Sequence, residues 1–112
     1  MQCDGEGRNM GDTNNHEQNI ERIKEALGNP DGCEVSCIKN IQNIYIYIIK
    51  PQKSLEKVHI GAINFIDNKT HLFQAFNLCF ENCVFESEIL LKDIKICNRL
   101  RFYECSFEKV VD

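Results

Sequence analysis

The sequence has no run of eighteen or more apolar residues, so no membrane-spanning helix is expected. Residues 1–15 are polar and acidic without an apolar core, which leaves no recognisable secretory signal. A broad basic excess is also missing. Residues 1–51 carry eight acids and five bases, and residues 52–112 carry nine acids and eight bases. That balance speaks against a direct nucleic-acid footprint and against a membrane-surface patch. No glycine-rich phosphate loop, paired-carboxylate motif or nucleophile elbow occurs. The seven cysteines would suggest a disulfide framework only in a secreted chain, and an odd count leaves one thiol unpaired. Reduced thiols and a cytoplasmic location are therefore expected.

What is present divides the chain into three parts. Residues 1–13, with three of the six glycines and the lone Cys3, read as a disordered leader. Residues 14–57 read as a helix and a strand that together form a cap. Ile20, Ile23 and Leu27 share one helical face, Asn14 or Asn15 offers a capping start, and Gly28 followed by Pro30 supplies the stop. After the turn residues 29–32, the segment Asn43 to Ile49 (NIYIYII) is the strongest strand signal, and Pro51 ends it.

Residues 58–112 form the third part, a repetitive β region. From Leu78 the chain aligns as eleven-residue units without a gap. Leu78, Ile89, Leu100 and Val111 share a column, as do Phe80, Leu91 and Phe102. Cys83, Ile94 and Cys105 form another, and Phe85, Ile96 and Phe107 a fourth. Val58, Ile60, Ile63 and Phe65 repeat the same spacing twenty residues earlier, and Lys69 to Asn77 breaks register. Steps of two, three and two cannot keep all apolar residues on one face of a straight strand, because the step of three reverses side-chain parity. A corner between two short strands can. The expectation is an all-β fold, a right-handed β-solenoid with one short N-terminal capping helix. The alternative is an antiparallel β-meander with a helix, of α+β class.

These units resemble the pentapeptide-repeat family over about residues 58–111. Phe80 with Leu78, Phe85 with Cys83, Phe102 with Leu100, and Phe107 with Cys105 match its pairing of a large apolar centre with a smaller residue two positions before. The extra residue in each eleven departs from that family's multiple of five. The resemblance implies a quadrilateral β-helix, dimers joined at their C-terminal ends, and a type II topoisomerase among the partners, bound by acidic mimicry of DNA.

The sites weighed alone are modest. Cys33 and Cys37, like Cys79 and Cys83, have a spacing found in some zinc sites, but Cys83 and Cys105 are explained as small core fillers. His59 should point outward, and nothing places it or His71 beside a thiolate. Tyr45 and Tyr47 share one strand face, either exposed for recognition or covered by the helix. With Glu81, Glu86, Glu104 and Glu108 they form the expected interaction surface. The functional expectation is a non-catalytic scaffold, without cofactor or metal, that binds another macromolecule. A cysteine-dependent enzyme or a zinc-binding domain is the alternative. The last coil has no cap, so the chain either belongs to a longer repeat protein or pairs with a second copy.

Overall fold

The computed structural model describes residues 12–66, 72–97 and 99–111. Helix α1 spans Asp12–Ala26 and buries Ile23 and Leu27. It ends as the sequence dictates. Gly28 takes the left-handed conformation, its N–H donates to the Glu25 carbonyl, and the Asn29 N–H reaches back to Lys24 at 2.8 Å. The helix begins two residues before the expected boundary, and the rest of the expected leader, with Cys3, lies outside the described residues.

Strands β1 (Cys33–Lys39) and β2 (Tyr45–Pro51) form an antiparallel hairpin. Its turn is held by the Asn40 side chain, which accepts from the Gln42 and Ile44 amides, with Asn43 left-handed. The short β3 (Val58–Ile60) follows, then a one-turn helix α2 (Leu72–Ala75), β4 (Asn77–Glu81) and β5 (Cys83–Leu90). Helix α3 (Leu91–Ile96) connects to β6 (Leu100–Tyr103) and β7 (Ser106–Val111). One sheet runs β1-β2-β4-β6 and the other β3-β5-β7, and every pair except β1–β2 is parallel.

Like residues lie beside like. Leu78 pairs with Leu100, Phe80 with Phe102 and Phe85 with Phe107, an offset of twenty-two residues. The rings of Phe80 and Phe102 stack at 5.3 Å, and those of Phe85 and Phe107 at 4.9 Å. The two columns meet edge to face, Phe80 on Phe85 at 5.2 Å and Phe102 on Phe107 at 5.0 Å. Phe65 contacts the rings of Phe73, Phe80, Phe85 and Phe102. The step of three has a local cause. Asn82 and Glu104 sit at φ 54° and 57°, and the chain turns from one sheet into the other at Asn82 in the first corner and across Glu104 and Cys105 in the second.

The expected class is corrected. Among the described residues the fold is mixed α+β with three helices and two small sheets that are neither closed nor coiled, not an all-β right-handed solenoid. The antiparallel meander is not found either, since β4–β6 and β5–β7 are parallel. The physical reason lies in the middle unit. Leu91 and Ile94 stand three apart among Lys92, Asp93 and Lys95, a helical spacing, so this segment becomes α3 and leaves Ile96 exposed. Eleven residues are therefore half of the structural period. The earlier copy is also displaced, because Val58 lies beside Cys83 and Ile60 beside Phe85. The irregular stretch before β4 contains α2, whose Leu72 and Phe73 are buried, while residues 67–71, His71 included, lie outside the described residues.

Candidate functional site

Two features stand apart from ordinary core. The first is a polar cluster beneath α1. His16 and Asn19 extend the face of Ile20, Ile23 and Leu27 by one turn, and both reach the Tyr47 hydroxyl, His16 Nδ1 and Asn19 Nδ2 each at 2.8 Å. Cys37 pairs with Tyr47 across the hairpin, and burial pushes the Tyr47 phenol and the Cys37 thiol up from their ordinary values. The His16 ring lies 4.1 Å from that of Tyr45, and His16 Nε2 is buried without a hydrogen-bond partner among the described residues. A recess of about 260 Å³ opens beside them, lined also by Ala75, Phe76 and Asn77.

The one thiol in this cluster, Cys37, is pushed up by burial, and the histidine is engaged with a phenol, so the arrangement is a buried anchor for the helix. A Tyr47→Phe variant should lose about 1–2 kcal/mol, because Asn19 and His16 would both lose their partner. Urea unfolding of the two proteins measures it, and equal midpoints would show that the network contributes nothing.

The second feature is the end of the stack. Among the described residues, strand β6 is the last of one sheet and β7 the last of the other, and each has a hydrogen-bonded neighbour on one side only. Phe102, Cys105 and Phe107 are half-buried there, whereas Phe80, Cys83 and Phe85 one rung inward are fully buried. Tyr103, Val110 and Val111 are exposed beside them. Exposed apolar residues on two open strand edges form a template for another strand.

The expected surface residues are not brought together. Tyr47 is 3 % exposed under α1 and cannot belong to an open surface, and Tyr45 is half-buried against His16, with Lys39 over its ring. Glu81 is half-buried beside Cys79, Glu86 bonds to the exposed His59 at 2.8 Å, Glu104 occupies the corner, and Glu108 is exposed on β7. Bases interleave with these acids, Lys109 lying directly beside Glu88. Sequence reasoning missed His16 and Asn19. The signal was available, since both share the helical face of Ile20 and Ile23.

Among the described residues the cysteine-enzyme and zinc alternatives gain no constellation. Cys105 has its thiol brought down to about 7, chiefly by the Cys83 side chain, and His59 is engaged elsewhere. Among the described residues no group of three or more histidine, cysteine or acidic side chains could hold a metal ion. Among them, too, no helix is long and apolar enough to cross a membrane. No protein family, curated protein or solved structure matches this chain.

Proposed function

We propose that this chain is a non-catalytic interaction module that works through the open edge of β7, and that the macromolecule it takes is a second copy of itself. The observation that carries the reading is the exposure of that edge. Among the described residues β7 has a strand neighbour on one side only, and it carries the exposed Val110 and Val111 with the half-buried Phe107. Phe107 lies beside the buried Phe85, and Val110 beside the buried Ile89, so a strand added here would extend existing apolar columns. A second copy carries the same edge with the same apolar residues, so two edges laid antiparallel can satisfy each other. Pairing would also satisfy edge donors and acceptors that otherwise depend on water.

Light scattering of the full chain across micromolar concentrations tests it. A concentration-dependent dimer is expected, and a strict monomer at high micromolar concentration removes the second copy as occupant. Val110→Lys sets a charge into the apolar edge of both copies and should weaken the dimer about tenfold or more. A dimer indifferent to this change is joined elsewhere.

A further inference from the structure

Cys83 and Cys105 occupy the same place in successive rungs. Each directly follows a left-handed corner residue, Asn82 or Glu104. Each thiol points along the stack toward the carbonyls of the corner. Cys83 Sγ lies 3.8 Å from the Ile49 oxygen and 3.4 Å from that of Glu81, and Cys105 Sγ lies 3.2 Å from the Phe80 oxygen and 3.5 Å from that of Tyr103. The rungs are in register on both sides of this corner. Glu81 pairs with Tyr103 before it, Val84 with Ser106 after it, and the Asn82 amide donates to the Tyr103 carbonyl across it at 3.0 Å. The two cysteines are thus neighbours across adjacent rungs, Cys83 opening β5 and Cys105 immediately preceding β7, roughly 4.8 Å apart at the backbone, inside the Cα separation of about 4.4–6.8 Å that a disulfide spans. The two thiols lie close enough to shift each other's acidity.

Neighbouring thiols in a core are usually inert filler, and two further observations separate this pair from filler. Cys83 is fully buried, but Cys105 belongs to the outermost rung and is only half-buried, so one member of the pair can be reached from solvent. The two also differ in acidity. Cys105 is brought down to about 7, first by the hydrogen bond from Cys83 and further by the nearby Lys57 ammonium, while Cys83 is pushed up by the same bond and by burial. The pair releases its first proton easily and holds the second. A reachable thiolate beside a protonated thiol is the arrangement of an oxidisable cysteine with its resolving partner.

We propose that Cys83 and Cys105 form a peroxide-responsive modification site that closes into a disulfide between adjacent rungs of the stack. The Cys105 thiolate attacks one oxygen of hydrogen peroxide, the O–O bond breaks, and the released hydroxide takes a proton to become water. Cys105 is then a sulfenic acid. The Cys83 sulfur attacks the Cys105 sulfur, the S–O bond breaks, and the departing hydroxide carries off the Cys83 proton as a second water. Two thiols are oxidised by two electrons in total and one peroxide is reduced to two waters. A dithiol reductant reverses the step. Closure ties β7 to β5 covalently and so fixes the outermost rung to the body of the fold.

The full chain, treated with hydrogen peroxide in slight excess and then alkylated, tests the site by intact mass and peptide mapping under non-reducing conditions. The expected result is a loss of two hydrogens and a tryptic link between the peptide containing Cys83 and that containing Cys105. Because Cys79 shares a tryptic peptide with Cys83, fragmentation must place the bond at Cys83. A Cys83→Ser variant should accumulate sulfenic acid at Cys105, trapped by dimedone, and a Cys105→Ser variant should form neither product. Should a variant fail to fold, the mapping of the unaltered chain decides alone. Both thiols remaining free for alkylation, or a link from Cys83 to its other neighbour Cys33, or from Cys105 to Cys79, overturns the proposal.

Discussion

Truncating Phe85 to alanine is expected to cost about 3–5 kcal/mol, the range for removing a large aromatic ring from a packed core. Four observations set the ring in that range. It is fully buried, stacks on Phe107 at 4.9 Å, and meets Phe80 and Phe102 edge-on at 5.2 and 5.6 Å. No neighbour can collapse into the space without breaking the register that holds Phe80 over Phe102 and Phe85 over Phe107. Domains of this size are stable by only about 5–15 kcal/mol, so the loss would take a large share and lower the melting midpoint by roughly 15–25 °C. Phe107→Ala supplies the comparison. Its ring sits in the same column but is half-exposed at the outer rung, and its removal should cost less than half as much. Thermal melts followed by circular dichroism compare the two. Equal losses would mean that the inner rung is no better packed than the outer.

The second large effect is alkaline. Burial raises the thiols of Cys33, Cys37, Cys79 and Cys97 and the phenol of Tyr47, and the bond to Cys105 raises Cys83. Each of these acids holds its proton more tightly folded than unfolded. Their contribution is complete below the unfolded values, about 8.5 for a thiol and 10 for a phenol, and is lost as the pH rises from there toward the folded ones. Cys105 runs the other way, its folded value near 7 adding stability as the pH climbs toward 8.5. Stability should therefore peak near pH 8 and fall above pH 9, by up to about 1.4 kcal/mol per pH unit for each group that titrates fully in the unfolded chain. Urea midpoints at pH 8, 9, 10 and 10.5 in reductant measure it. A midpoint constant to pH 10.5 would show that the thiols are not held protonated by the fold.

Much of the inner architecture is legible in the residues, and the limits have physical causes. The step of three between Phe80 and Cys83, and between Phe102 and Cys105, announces a corner, which Asn82 and Glu104 supply. The end of α1 is equally legible, because Gly28 takes a conformation that costs other residues more. The middle unit misleads because an apolar pair three apart suits a β corner and a helix face alike. Leu91 and Ile94 fill the first pattern in sequence and the second in space. Strand partners were beyond periodicity as well. The twenty-residue offset at Val58 matches in spacing, yet Val58 lies beside Cys83, since the segment between β2 and β3 has no counterpart at Asn82. At the candidate site, the sequence marks Tyr45 and Tyr47 as a pair but not which face meets α1. That depended on His16 and Asn19 supplying polar partners for a buried hydroxyl.

The hairpin of β1 and β2 differs from every other strand pair in how little chain must be closed to form it. Its turn runs from Asn40 to Ile44, whereas β2 ends at Pro51 and meets β4 only from Asn77. The entropy of closing a loop grows with the logarithm of its length, so the longer closure costs about 1–2 kcal/mol more before any contact offsets it. The hairpin is thus the piece of the fold that can form on its own terms, and its β2 edge is the surface on which β4 and then β6 can be laid. The rung that carries Cys105 and the open edge has, among the described residues, a strand neighbour on one side only, so local opening of the sheets costs least there.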